Sequence, residues 1–105
     1  MAKGAPPGPR LTRKATAAKR SRESLASVAY QVGLLVAIQR NRWKLNQTDL
    51  AKRIGVEQID ISSVENGRPA GKRMTDKALD DLFKELDLAD ASQQLSFLKW
   101  WRDNG

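Results

Sequence analysis

The sequence predicts an all-α fold: a compact five-helix domain, preceded by a leading helical extension and a disordered basic N-terminal tail. Two observations carry that prediction. Apolar residues recur at spacings of three and four from Leu25 to Trp101, which is the period of a helix buried on one side. Cap-forming residues and glycines punctuate them at Asn46, Gly55, Gly67 and Thr75. The expected organisation is a tail over residues 1–21, an extension over 22–33 and a domain over 34–105. Within that domain, two short helices span 46–66 and two more follow at about 76–87 and 90–102.

The tail is set apart by charge. Residues 1–22 carry Lys3, Arg10, Arg13, Lys14, Lys19, Arg20 and Arg22 with no acid, while residues 23–105 hold 12 basic and 12 acidic side chains. The net charge of +7 therefore sits at the N-terminus. Gly4, Pro6, Pro7, Gly8 and Pro9 open a segment too poor in apolar residues to fold alone, which predicts disorder. A basic arm of this kind can follow a phosphate backbone in a salt-dependent way. A solubilising tail and an organelle transit peptide are the alternatives.

Leu25, Val28, Val32 and Leu35 form the next stripe, flanked by Ala29 and Val36. They fit one helix over about 22–42, or two joined at Gly33. The cost of a mid-helix glycine, about 0.5 to 1 kcal/mol relative to alanine, favours a bend there. In the following helix Asn46 is the candidate N-cap, Asp49 stands in the capping-box place, and Leu50, Ala51 and Ile54 share a face. Gly55 stops that helix because it takes positive φ without steric cost. A second short helix begins near Glu57, faces inward with Ile61 and Val64, and ends at Gly67. Pro69 and Gly71 mark a loop, and Thr75 with Asp76 opens a helix carrying Leu79, Leu82, Phe83 and Leu86. The last helix starts at about Asp90, with Gln93 placed for a capping box, and turns Leu95, Leu98 and either Trp100 or Trp101 inward.

Composition excludes several chemistries. The chain has no cysteine and no histidine, so disulfides, thiolate chemistry, zinc fingers and histidine acid–base catalysis are absent. No nucleophile–base set, metal-ligand cluster or phosphate-cradling glycine loop is present, so no enzyme activity, cofactor or metal is expected. No apolar run approaches the roughly 18 to 20 residues of a membrane span. A soluble, cytoplasmic protein is expected.

From Val36 to Arg73 the chain resembles the phage-repressor, or Cro-like, helix-turn-helix family, also called the xenobiotic-response-element type. The residues that carry the resemblance are Arg40, Leu45-Asn46-Gln47, Leu50-Ala51, Ile54-Gly55, Ile61, Val64 and Glu65-Asn66-Gly67, in order and without gaps. It implies a phage-repressor-like fold in which the second helix of the motif enters the DNA major groove while the first crosses the backbone. Side chains at the start of that second helix and one turn on, Gln58, Ile59 and Ser63, are then the base readers. A Gln amide can pair bidentately with adenine, and Ile59 can touch a thymine methyl. Asp60 lies among them and would cap the helix, accept from cytosine, or weaken binding; Glu57 is assigned to capping.

The same resemblance places Gln47, Asn66, Arg68, Lys72 and Arg73 on the DNA backbone, with Arg73 toward the minor groove. It also implies a structural ion pair between Arg40 and Glu65. The expected function is a sequence-specific double-stranded DNA-binding regulator, a repressor that binds a palindromic operator as a homodimer with half-sites about one helical turn apart. Leu25, Val28 and Val32, or Phe97, Trp100 and Trp101, are candidates for the dimer or partner surface. Residues 74–105 hold 4 basic and 7 acidic side chains, so that end should face away from DNA. The alternative function is an antitoxin or anti-activator whose main role is to bind and neutralise a partner protein.

Overall fold

A computed structural model describes residues 9–105, with side chains from residue 22 onward; residues 1–8, and with them the start of the expected tail, lie outside the described residues. Five helices make up the described chain: α1 (Pro9–Arg42), α2 (Gln47–Ile54), α3 (Gln58–Glu65), α4 (Asp76–Glu85) and α5 (Ser92–Asn104).

α1 runs unbroken through Gly33, where a bend was expected. The glycine serves a different need. A Cβ built there would stand 2.3 Å from the Val64 carbonyl oxygen and 2.6 Å from that of Glu65, so the missing side chain lets α1 lie directly on the end of α3. Helical backbone also reaches back to Pro9, into a segment expected to be disordered. The physical reason is local. Proline is suited to the first turn of a helix, and the alanine-, lysine- and arginine-rich stretch that follows is composed of strong helix formers.

α2 starts on Asn46, whose side-chain oxygen accepts from the Asp49 N–H at 2.7 Å, and ends at Gly55 with φ of 77°. Three residues later α3 begins. Its outer end turns back toward α1, and α4 follows after Thr75, whose hydroxyl accepts from the Ala78 N–H at 3.1 Å. α5 begins two residues later than expected, at Ser92, and no side chain caps it. The Ala91 N–H donates instead to the Leu88 carbonyl at 2.9 Å, closing a turn that delays the helix.

One core joins all five helices. Val32 and Val36 meet Leu50, Ala51 and Ile54 of α2, Ile61 and Val64 of α3, Leu79, Leu82 and Phe83 of α4, and Leu98 of α5. α3 packs on both α1 and α2, α4 on α2 and α5, and α5 on α1. Trp101 is the inward-facing member of the tryptophan pair: it is buried, and its Nε1 donates to the Gly67 carbonyl at 3.1 Å. Arg102 ties the same end down, donating to the Met74 carbonyl at 2.8 Å and pairing with Asp76 and Asp103. Among the described residues no helix is long and apolar enough to cross a membrane.

Candidate functional site

α3 presents two unlike sides. Asp60, Ile61, Val64 and Glu65 are buried, leaving Gln58, Ile59, Ser62 and Ser63 to form the outer face. Gln58 and Ile59 are exposed, and the two serines are half-buried. Ser62 was not among the residues singled out from the sequence. Its place one turn after Gln58 on a 3.6-residue period was the available signal.

A line of hydrogen bonds runs from the interior to that face. Arg40 donates from Nε to one Glu65 carboxylate oxygen at 2.6 Å and from a terminal nitrogen to the other at 3.0 Å, a two-pronged pair with both side chains largely buried. The pair raises the Arg40 pKa through its hydrogen bonds to Glu65, against the opposing effect of burial. A third Arg40 nitrogen donates to the Leu45 carbonyl at 2.8 Å, holding the chain between α1 and α2. Glu65 also accepts from Gln47 Nε2 at 2.8 Å. The Gln47 carbonyl oxygen in turn accepts from Gln58 Nε2. Gln47 is the first residue of α2, so its own backbone N–H is one of the helix-start donors left without an intrahelical partner. The Gln58 side-chain oxygen and one of its amide N–H groups have no partner among the described residues, and the residue is exposed.

Asp60 does not belong to the outer face. It is buried, its carboxylate accepts from the Glu57 N–H at 2.9 Å, and Arg73 donates to both of its oxygens at 2.8 and 3.1 Å. Burial alone would raise this carboxyl, but the Arg73 guanidinium and the Glu57 N–H outweigh it and hold the Asp60 pKa below its ordinary value. Of the three readings open for Asp60 the structure shows the capping one, because position 60 falls on the same side of α3 as Ile61 and Val64 and its carboxylate completes a capping box with Glu57. Two Arg73 nitrogens are engaged by Asp60 and Glu57 lies 3.9 Å away, while the Arg73 side chain stays half exposed beside the start of α3. Glu57 itself occupies the N-cap position of α3.

Asn66 is also engaged locally. Its Nδ2 donates to the Ser62 carbonyl at 2.8 Å and to the Ser62 hydroxyl at 3.3 Å, closing the C-terminal end of α3. Arg68 and Lys72 are exposed on the loop that follows.

The six apolar residues put forward as a contact surface divide. Val32 and Trp101 are core residues of a single chain and are not available to a partner. Val28 and Trp100 are exposed, and Leu25 and Phe97 are half-buried. Phe97 clusters with the two tryptophans, its ring centroid 6.1 Å from that of Trp100 and 5.9 Å from that of Trp101, which are themselves 6.3 Å apart.

Among the described residues no group of three or more acidic side chains converges as a metal site would require. A shallow concavity of about 470 Å³ is bordered by Lys72, Thr75, Asp76, Arg102 and Asp103, and in it Arg102 already pairs with both Asp76 and Asp103. Compared with protein-family models, with curated proteins and with solved structures, the chain matches none of them.

Proposed function

We propose that the chain is a sequence-specific double-stranded DNA-binding regulator of transcription, in which α2 and α3 form a helix-turn-helix of the phage-repressor type. The outer face of α3 enters the major groove, and the chain acts in the cytoplasm as a repressor on a palindromic operator, two copies to a site. The observation that carries the proposal is the outer face itself. Gln58, Ile59, Ser62 and Ser63 offer an amide, a methyl-bearing side chain and two hydroxyls, with no charge among them. That combination suits base edges, which are read by hydrogen bonds and methyl contacts and not by net charge.

The geometry around that face supports the same conclusion. Gln58 is held by Gln47, which leaves its amide one donor and one acceptor to offer, the number that a bidentate pair with adenine uses. The unpaired backbone N–H groups at the start of α2 suit a phosphate. Arg68 and Lys72 stand exposed on the loop that follows α3. The basic N-terminal segment adds sequence-independent attraction to phosphates.

Selection from a random pool of duplexes at about 150 mM salt tests the proposal, because backbone attraction alone is weak there. Enrichment of an inverted repeat supports it. No enrichment by a folded, helical protein rejects it in favour of the second reading, an antitoxin or anti-activator that binds a partner protein and whose exposed Trp100 offers an aromatic anchor.

A further inference from the structure

Residues 24–39 contain no charged side chain, yet α1 buries only one side of this stretch. Ala29, Val32 and Val36 enter the core, while Val28, Tyr30, Leu34 and Ile38 are 41%, 50%, 40% and 63% exposed. A helix that is apolar on every side is ordinarily buried on every side. Tyr30, Leu34 and Ile38 follow one another at intervals of four, so they form one continuous ridge along α1. Gly67 lies close against the Tyr30 backbone, yet much of each of the three side chains is left in solvent.

We infer that this ridge is a two-fold interface between two copies of the chain, with their α1 helices packed antiparallel about Leu34. Self-complementarity is the first argument. A two-fold axis at Leu34 sets Tyr30 of each copy against Ile38 of the other, so an aromatic ring meets a branched aliphatic chain twice.

Charge is the second argument, and it selects both the partner and the direction. The seven basic residues of positions 1–22 precede the ridge on the same strand of chain. Parallel packing would set two such segments side by side, whereas antiparallel packing sends them to opposite ends. Glu23 lies about three turns before Leu34 and Arg42 a little over two turns after it, roughly 16 and 12 Å along the axis. Both are exposed. Antiparallel packing brings Glu23 of one copy toward Arg42 of the second copy, at both ends of the contact.

Size is the third. Tyr30, Leu34 and Ile38 make three large apolar side chains in one unbroken row, more than the singly scattered apolar residues that a monomer's surface ordinarily carries.

The inference supplies the pairing surface that the operator reading needs and rests on that reading only for its use on DNA. Its test therefore omits DNA, so that a failed selection and a failed dimer are separate results. The mass of the full chain is measured by sedimentation at about 50 μM, together with Leu34→Glu and Ile38→Lys, each checked for helicity. A wild-type dimer that both variants weaken by at least about 30-fold, with helicity kept, is the expected result. Should Leu34→Glu lose its fold, Ile38→Lys decides, since Ile38 is the most exposed of the four. Because the chain has no native cysteine, Leu34→Cys should also form an intermolecular disulfide under mild oxidation, and Trp100→Cys should not. A monomeric wild type, a dimer indifferent to Ile38→Lys, or crosslinking through position 100 and not 34 would overturn the inference.

Discussion

Gln47 Nε2 stands 2.8 Å from a Glu65 carboxylate oxygen, and through that bond a buried ion pair is joined to the exposed face of α3. Glu65 thereby has three donors, two from Arg40 and one from Gln47. It holds α1, α2 and α3 together while orienting the amide that in turn holds Gln58. Stability and the proposed base reading meet in one carboxylate.

Glu65→Ala should therefore be severely destabilising. Removing one member of a buried pair leaves the other charge uncompensated, at a cost of about 3 to 5 kcal/mol. For a domain of this size each kcal/mol shifts the melting temperature by roughly 4 to 8 °C, so thermal unfolding should fall by well over 10 °C. An unchanged melting temperature would show that Arg40 does not depend on Glu65.

Gly33→Ala reverses the sign expected from helix propensity. In an exposed helix the change would stabilise by about 0.5 to 1 kcal/mol. Here the new Cβ meets backbone oxygens of Val64 and Glu65 at 2.3 and 2.6 Å, which no side-chain rotation relieves. A net loss of about 1 to 3 kcal/mol or more is expected from the forced separation of α1 and α3. Urea denaturation checks it, and a more stable variant would contradict the close approach.

The Asp60–Arg73 contact predicts a pH dependence. The folded-state pKa of Asp60 is depressed, so its contribution is fully present above the ordinary aspartate range near 4 and is lost as pH falls through the lower folded value. Asp60→Asn should lower stability by about 1.5 to 3 kcal/mol at neutral pH, the usual worth of hydrogen bonds to a charged group. The gap from the wild type should close as acid is added. Urea midpoints between pH 7 and pH 2 measure this, and parallel curves for the two proteins would refute it.

Roles set by neighbours in sequence were legible without coordinates. Asn46 caps and Gly55 terminates α2 because each acts on backbone within four residues of itself. Gly33 was not legible in the same way. The propensity cost of a mid-helix glycine suggests a bend, whereas the actual cause is the end of α3, more than thirty residues away in sequence. Asp60 and Arg73 illustrate the same limit. Each is a plausible DNA-facing side chain by type, and only the fold of the 68–73 loop brings them together. Trp100 and Trp101 are adjacent, so periodicity alone could not say which is buried; the Gly67 carbonyl decides by giving the Trp101 indole a partner. Helical spacing placed Gln58, Ile59 and Ser63 on one side of α3, and the same spacing would have added Ser62.

The central claim is that the outer face of α3 reads bases, and Gln58→Ala tests it most directly. Affinity is measured at about 150 mM salt for an enriched duplex and for a scrambled one of equal length. The proposal predicts a loss of about 5- to 150-fold on the enriched duplex, the worth of one bidentate contact, with affinity for the scrambled duplex nearly unchanged. Equal losses on both duplexes, or no loss on either, would contradict it.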